Sequence, residues 1–285
     1  MNDKCWLKLM QWLPKRWVSR QFGRLMRRKW SRRLIPLYIK MYRIDTRDVV
    51  KDVSEFDSLL DFFIRRLRAD ARPIDTHPER IVSPVDGTVA ERGTIRDNQL
   101  IQAKGYAYTV EQLLGGDEAR AASFYNGSFI TLYLSPRDYH RIHAPIAAGI
   151  EAMRYIPGEL YPVNERGIRL VRQLYVRNER LISYLLTDCG TVALVKVGAT
   201  NVGSIKVDYD PTIGTNVKGA RPAERLYEPA IAVHKGEELG RFEFGSTVIL
   251  LFPPQCVTFL PRIKAGEAVR VGEPIAHVLS LKEGK

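Results

Sequence analysis

The sequence predicts an α+β protein, in which N-terminal amphipathic helices precede a largely antiparallel β core. Residues 1–45 place apolar side chains at helical spacing and basic side chains mostly on the other faces. From about residue 80, short apolar runs alternate with clusters of Gly, Pro, Asp and Asn, which is typical of short strands joined by turns. We therefore divide the 285 residues into a helical arm, residues 1–45, and a main domain, residues 46–285.

Helical periodicity is clearest in the arm. One helix is predicted from five apolar residues that share a face: Trp6, Leu9, Met10, Leu13 and Trp17. The pattern resumes after a break near Gly23 and continues to Trp30. A third helix is predicted over residues 34–43, with a proline near its start.

The main domain is expected to begin with a helix over residues 53–68, capped by Ser54 or Asp57. A second, short helix is expected over residues 108–116. Frequent turns between the apolar runs favour an antiparallel arrangement over a parallel α/β sheet. The expected strands are 81–82, 87–91, 99–103, 129–134, 150–156, 168–176, 181–186, 191–197, 202–207, 230–233, 241–244, 247–252, 257–259, 269–271 and 275–280.

Nearly all of the net charge of +12 lies in the arm. Residues 1–45 hold 13 of the 44 basic residues and two of the 32 acidic ones, which leaves the main domain almost neutral. All four tryptophans lie there too: Trp6, Trp12, Trp17 and Trp30. A basic helix face with Trp and Leu opposite it is typical of a helix in a membrane interface. We therefore predict that membrane contact is made by Trp6, Leu9, Leu13, Trp17 and Trp30.

Two other interpretations of the arm stay open. It could be a helical layer that packs on the main domain with a solvated basic face, or it could bind nucleic acid through the same charges. Clustered tryptophan favours the membrane, so we expect no nucleic-acid partner. Charges interrupt every apolar run of the arm, which argues against a signal peptide. No uninterrupted apolar run approaches the roughly 18 residues that span a bilayer.

Cysteine and histidine spacing predicts neither a disulfide framework nor a metal site. Cys5, Cys189 and Cys256 are scattered and include no C-x-x-C pair, so we expect a reducing, cytosolic environment. His140 and His143 have the spacing of a ligand pair. The other three histidines supply no clear partner set for a metal.

Three segments hold polar residues that β-hairpins do not require. SPVDGTV contains Asp86 in an Asp-Gly pair that ordinary turn chemistry would also explain. YLSPRDYHRIHAP holds His140 and His143 beside acidic side chains, which suits proton transfer. FGST places Gly245 and Ser246 directly before an apolar strand and does not match the G-x-S-x-G turn. The chain order Asp, His, Ser matches subtilisin-type hydrolases, so a lipid-directed serine hydrolase is an alternative.

Taken together, these segments closely resemble the proteobacterial type of phosphatidylserine decarboxylase. SPVDG resembles the aspartate segment of that family, YLSPRDYHRIHAP its histidine segment and FGST its processing site. FFIRRLRADARPID, PGELYPVNE and VGATNVGSI resemble further landmarks in the same order, and the resemblance covers almost the whole chain. One departure is Phe244, where the family usually has leucine, and this puts the rate of processing in question.

The resemblance implies that the chain cuts itself between Gly245 and Ser246. Residues 1–245 would form a β chain and residues 246–285 an α chain, held together as a heterodimer, with further dimerisation left open. Ser246 would become a pyruvoyl group, the cofactor that decarboxylates phosphatidylserine to phosphatidylethanolamine and CO2 in phospholipid biosynthesis. The enzyme would lie peripherally on anionic lipid at the cytoplasmic face of the cell membrane.

The resemblance also assigns roles to the polar side chains. Asp86, His143 and Ser246 would form the self-cleavage triad, in which His143 is the base and Asp86 orients it. His140 and Tyr133 are candidates for contact with the substrate or for the proton step.

Overall fold

The computed structural model describes residues 2–96, 98–102, 106–200 and 204–279. The helices are α1 Asp3–Trp12, α2 Lys15–Met26, α3 Ile35–Tyr42, α4 Leu59–Phe63, α5 Val110–Leu113, α6 Glu118–Ala122, α7 Glu165–Leu170 and α8 Leu174–Arg177, with 3-10 turns at Lys29–Leu34 and Val53–Glu55. The strands are β1 Arg80–Val82, β2 Gly87–Thr94, β3 Gln99–Gln102, β4 Tyr106–Thr109, β5 Ser128–Leu134, β6 Arg141–His143, β7 Ala148–Ile156, β8 Arg180–Thr187, β9 Gly190–Gly198, β10 Ile205–Val207, β11 Ala223–Val233, β12 Glu238–Phe242, β13 Ser246–Phe252, β14 Val257–Phe259, β15 Ala268–Val269 and β16 Pro274–Val278.

An eight-stranded sheet forms the centre of the molecule, in the order β11-β7-β8-β9-β13-β5-β2-β15. Two three-stranded sheets, β1-β16-β14 and β10-β12-β6, and the β3-β4 pair complete the strand arrangement. Every ladder between these strands is antiparallel. The predicted fold class, helices followed by a largely antiparallel β core, is confirmed.

Strand β13 lies in the middle of the large sheet, between β5 and β9, and all its residues are buried. Because side chains alternate along a strand, Val248 and Leu250 enter the core shared with the smaller sheets. Ile249 and Leu251 enter a second core, shared with α5 to α8. Burying an aliphatic side chain of this size contributes roughly 1.5–3 kcal/mol, so β13 is firmly anchored on both faces.

The arm packs on the main domain through a third core. Met26 and Ile35 from the arm meet Phe62 and Phe63 of α4, and Phe244 joins them just before β13. The predicted break near Gly23 was wrong, because Gly23 lies inside α2. The two helices are instead separated at residues 13–14, where a proline lacks the backbone N–H and restricts the residue before it.

Two other sequence predictions of secondary structure were wrong. The helix expected over 53–68 is reduced to a 3-10 turn and α4, whose N-terminus is capped by the Ser58 hydroxyl, accepting from the Asp61 N–H at 3.1 Å. The strand expected over 168–176 is replaced by parts of α7 and α8. A short apolar run does not distinguish a buried helix from a strand. In this segment, the apolar side chains pack into the second core from helices.

A disulfide joins Cys189 to Cys256, with 5.3 Å between their Cα atoms, whereas Cys5 is free and exposed. The scattered cysteines argued against a disulfide framework, yet two of them form this single bridge. The two cysteines are 67 residues apart in sequence. They meet because Cys189 directly precedes β9, Cys256 follows β13, and these strands pair antiparallel. The positions of the two cysteines in the sequence do not predict this pairing, because only the strand order of the sheet brings the two turns together.

Candidate active site

Ser246 is the first residue of β13, where it pairs with Leu134 on one side and Gly198 on the other. Its side chain is fully buried, and its Oγ has no hydrogen-bond partner among the described residues. Leaving a buried hydroxyl unpaired costs about 1–3 kcal/mol. A serine at this position is therefore unfavourable for stability alone, which marks it as a functional candidate.

The backbone just before Ser246 adopts an uncommon conformation. Phe244 has φ +80° and Gly245 has φ +20°. A left-handed backbone costs a residue with a Cβ roughly 1–2 kcal/mol, and the burial of Phe244 against the rings of Phe22 and Phe63 offsets this cost. A Cβ added to Gly245 would contact nothing within 4 Å, so glycine is needed there for backbone freedom and not for space. Strain is thus concentrated beside the peptide bond that precedes Ser246.

The histidine segment connects Ser246 to the aspartate segment. It begins beside Ser246, because Leu134 is the partner of that serine in the ladder between β5 and β13. It ends at β6, where the backbone N–H of His143 donates to the carbonyl of Pro84 at 2.8 Å. The fold therefore brings the three polar segments that were singled out in the sequence into one region.

His143 is half-buried and held through both ring nitrogens. Its Nδ1 lies 2.8 Å from the carbonyl oxygen of Gly236, which assigns the ring proton to Nδ1. Its Nε2 lies 3.2 Å from the hydroxyl of Tyr139, which donates to the lone pair there. Burial lowers the pKa of His143, although the Gly236 hydrogen bond opposes this shift. The neutral imidazole can therefore act as a base through Nε2.

His140 is fully buried against Phe63, with 4.1 Å between the ring centroids. Its Nδ1 lies 2.8 Å from the carbonyl oxygen of Asp138, and its Nε2 has no partner among the described residues. Burial lowers the pKa of His140 to about 3. The side chain is thus a neutral imidazole whose Nε2 lone pair is unused among the described residues. Phe63, which contacts His140, also contacts Phe244 in the strained backbone.

Asp86 is buried and bound by Arg72 through both carboxylate oxygens, at 2.9 Å from Nε to Oδ1 and 2.6 Å from Nη2 to Oδ2. The backbone N–H of Val271 donates to Oδ1 at 2.9 Å. Among the described residues, no hydrogen bond joins Asp86, His143 and Ser246 to one another. The predicted triad therefore shares a region without being connected. Arg72 was missed as a site residue, although it lies in the quoted ARPID segment.

Tyr133 does not reach the face of the sheet that carries Ser246. It pairs with Thr247, and its side chain packs on the second core, whereas its neighbour Leu134 packs on the first. Residues one position apart on a strand point to opposite faces. The role of Tyr133 in contact with the substrate or in the proton step therefore stays a prediction.

Two cavities are bordered by residues of the histidine segment. An apolar groove of about 420 Å³ is bounded by arm residues such as Leu37 and Met41 and reaches Pro136, Phe244 and Gly245. A polar cavity of about 280 Å³ is lined by residues of both signs: Arg43, Asp45, Asp48, Arg65, Arg72, Asp86, Arg137, Asp138 and Arg270. The site can thus hold a molecule with an apolar part and an ionic part.

The outer surface of the arm exposes large apolar side chains. Trp12 is 87% exposed, and Leu9, Trp17 and Trp30 are also exposed, while Leu13 is half-buried. The structure corrects one predicted membrane contact, because Trp6 is only 8% exposed and packs in the second core. None of the helices described here is both long and apolar enough to cross a bilayer.

Comparisons with known proteins identify the family of this chain. Residues 59–277 match the family model described as phosphatidylserine decarboxylase. The chain is 47% identical to a phosphatidylserine decarboxylase proenzyme of Brevibacillus brevis, over 97% of this chain and 99% of that protein. It is 45% identical to the proenzyme of an Anaeromyxobacter species, over 96% and 99%. It is 40% identical to that of Escherichia coli, over 95% and 86%.

The matches to whole relatives span both the helical arm and the β core. They extend to proteobacterial relatives, as the sequence resemblance implied. The chain therefore belongs to the phosphatidylserine decarboxylase family, and it is an enzyme of the carboxy-lyase class.

Proposed function

We propose that the chain cuts itself between Gly245 and Ser246 and then decarboxylates phosphatidylserine to phosphatidylethanolamine. The observation that carries this proposal is the buried Oγ of Ser246, which has no partner among the residues that the structure describes and lies next to two residues at positive φ. The relatives are named proenzymes, which supports a processing step. The fully buried strand β13 would keep the new terminus in place after the cut.

The cut itself uses only groups that the chain supplies. Ser246 Oγ attacks the carbonyl carbon of Gly245, and the C–N bond breaks as the acyl group moves from nitrogen to oxygen. Loss of the Cα proton of Ser246 then expels the Gly245 carboxylate and leaves dehydroalanine. Addition of water to its imine tautomer releases ammonia and leaves a pyruvoyl group. The products are chains of 245 and 40 residues.

His143 is the candidate base for these proton transfers. Its Nδ1 is held by Gly236, so Nε2 carries the lone pair. In the uncleaved chain, Tyr139 occupies this lone pair, and we expect Nε2 to exchange that hydroxyl for the one of Ser246 when the reaction begins. Burial lowers the pKa of His143, while the negative charges of Glu238 and, to a smaller extent, Asp86 act to raise it and would favour the imidazolium as it forms.

The surroundings of Ser246 fit a pyruvoyl group, because the serine that would form it already lies unpaired inside the protein. The pyruvoyl carbonyl supplies an electron sink for the loss of CO2 from a substrate that binds through its amine. The apolar groove that ends at Gly245 can hold acyl chains, and the polar cavity can hold the charged headgroup. The neutral Nε2 of His140 is suited to hold or deliver a proton.

The arm would place the enzyme on its substrate. Its basic residues attract anionic lipid, at about 1 kcal/mol for each Lys or Arg near the surface, and its exposed tryptophans insert between headgroups. Residues Leu37 and Met41, exposed at the groove, lie where an acyl chain would enter from the bilayer. We therefore propose a peripheral enzyme at the cytoplasmic face of the cell membrane, with the two chains remaining associated.

Mass spectrometry of the purified, chemically reduced protein tests the cut. We expect the 245-residue and 40-residue chains, with the shorter one blocked by a pyruvoyl group in place of Ser246. Ser246→Ala should remain a single chain and lose decarboxylase activity. Thr247→Val is the matched control, because it removes the neighbouring unpaired hydroxyl, which lies on the opposite face of β13, and it should still cleave. An intact wild-type chain whose Ser246 reacts with a fluorophosphonate would support a hydrolase instead.

Vesicle binding tests the role of the arm. A variant carrying Trp12→Ala and Trp17→Ala should sediment less with vesicles that contain phosphatidylserine, because the two exposed rings no longer insert. Its self-cleavage should be unchanged. Leu186→Ala is the control, since Leu186 is an exposed apolar residue of the main domain. Equal sedimentation of the tryptophan variant and the wild type would argue against membrane contact through this surface.

A further inference from the structure

Arg65, two residues after the end of α4, is a buried cation that pairs with no carboxylate in the described part of the chain. Only 4% of it is exposed, and its Nη2 donates to the backbone oxygens of Arg137 and Asp138 at 2.9 Å and 3.3 Å. Its Nε and Nη1 have no partner among the described residues. Because a buried charge is costly unless it is paired, such a guanidinium indicates a missing anion.

Other buried arginines of the same protein show what a purely structural arrangement looks like. Arg180, 2% exposed, also lacks a carboxylate, but its Nε, Nη1 and Nη2 all donate to backbone oxygens, including those of Leu113 and Gln112. Arg141, also buried, donates to Glu238. Arg65 differs from both, since it keeps three N–H groups unused, one on Nε and two on Nη1.

The position of Arg65 connects it to the proposed reaction. It lines the polar cavity that also contains Asp86 and Arg137. After burial, the positive charge of Arg65 also acts to lower the pKa of His140. The Nε2 of His140 likewise has no partner among the described residues. Its guanidinium lies over the ring of Phe62, 5.2 Å from the centroid, so the side chain is packed in place. The unused donors therefore belong to a firmly packed cation in a cavity that is lined by charges of both signs.

We propose that Arg65 binds an oxyanion of the phospholipid headgroup and thereby determines how tightly the substrate is held. This inference rests on the proposed function. Phosphatidylserine carries two such groups, the phosphodiester and the serine carboxylate, and both accept charge-assisted hydrogen bonds from a guanidinium. The product phosphatidylethanolamine keeps the phosphodiester and lacks the carboxylate, which allows an experiment to tell the two groups apart.

The test compares Arg65→Gln, Arg65→Lys and the wild type. We expect Arg65→Gln to self-cleave and to raise KM for dihexanoyl phosphatidylserine by about tenfold or more, with partial recovery in Arg65→Lys, because a charged hydrogen bond is lost and then partly restored. Arg66→Gln is the matched control, since Arg66 is adjacent and exposed, and its KM should be unchanged. Weaker inhibition by dihexanoyl phosphatidylethanolamine would assign Arg65 to the phosphodiester, and unchanged inhibition to the carboxylate.

A binding measurement keeps the proposal testable if Arg65→Gln does not cleave. In chains that carry Ser246→Ala, calorimetry should show weaker binding of dihexanoyl phosphatidylserine when Arg65 is also replaced by Gln or Lys. Equal binding or equal KM, even with a lowered melting temperature, would overturn the proposal and leave Arg65 a structural residue. Failure of the proposed function would appear differently, as a wild-type chain that stays intact and inactive.

Discussion

The two ends of β13 differ in almost every physical respect. At its C-terminal end, Val248–Phe252 are apolar, fully buried and packed into both cores. At its N-terminal end, Ser246 and Thr247 bury hydroxyls that have no hydrogen-bond partner within the described parts of the chain, and the residues before them have positive φ. The apolar C-terminal end stabilises the fold, whereas the polar N-terminal end lowers stability beside the Gly245–Ser246 bond, where the proposed chemistry occurs. The comparison teaches that a strained peptide can be held in place by the apolar end of the same strand, which takes no part in the proposed reaction.

The largest effect expected at the N-terminal end comes from His143→Ala. Removing a positioned base should slow self-cleavage by about 10²- to 10⁴-fold and change the free energy of unfolding much less. Mass spectrometry of reduced samples, taken over time from cell-free synthesis, would measure the intact fraction. His277→Ala is the control, because His277 is exposed, and it should cleave at the wild-type rate. Normal cleavage by His143→Ala would remove His143 from the proposed mechanism.

At the opposite end, Leu250→Ala should lower stability and leave the chemistry intact. Truncating a fully buried leucine costs about 2–5 kcal/mol, because apolar contacts are lost and a cavity remains. Urea denaturation of the folded variant measures this loss. The exposed Leu186 gives the comparison, since its replacement by Ala should cost at most about 0.5 kcal/mol. A stable Leu250→Ala protein that fails to cleave would break the division between the two ends.

The buried His140 should make stability depend on pH. Its pKa in the folded protein is about 3, against an ordinary value of 6.5. The unfolded chain therefore takes up the proton first, so the stability present above pH 6.5 declines as the pH falls towards 3. The slope should reach up to about 1.4 kcal/mol per pH unit. Urea denaturation across this range should give a shallower slope for His140→Gln, and equal slopes would contradict the prediction.

The smallest effect is expected from Phe244→Leu. The substitution keeps an apolar side chain at φ +80°, so it should change stability by less than about 1.5 kcal/mol. The loss of ring contacts with Phe22 and Phe63 should alter how firmly the strained backbone is held. Thermal unfolding and a cleavage time course would measure both effects. A block of cleavage would show that the ring itself, and not only its apolar volume, is required.

Much of the fold could be predicted from local sequence patterns. The apolar run of β13 predicted a buried strand, and the turn-rich main domain predicted antiparallel pairing, because both signals are local. Tertiary packing determined the remainder. Trp6 and Trp12 both lie in the basic, tryptophan-rich arm, and the sequence does not distinguish them. The packing of α1 shows that the ring of Trp6 is buried and that of Trp12 is exposed. The positive φ of Phe244 has no local sequence signal, since such a conformation is imposed by its surroundings.

The segments of the candidate site could be predicted from the sequence, but the contacts between their side chains could not. Asp86, His143 and Ser246 lie in segments that the fold brings together, although their side chains are not hydrogen-bonded to one another in this structure. Arg65 was missed because what marks it is that its Nε and Nη1 have no hydrogen-bond partner among the described residues, and a sequence cannot show this. The sequence did not show that Tyr133 and Ser246 lie on opposite faces of the sheet, because that depends on the register between two strands, and the role of Tyr133 stays a prediction.

The Cys189–Cys256 disulfide has a consequence for how processing is detected. Under the proposed cut, Cys189 belongs to the long chain and Cys256 to the short one. The processed protein would lose a peptide bond and remain a single covalent molecule. On a denaturing gel without reductant, it would migrate much like the intact chain of 32.5 kDa. A single band under those conditions would therefore say nothing about whether the backbone had been cut.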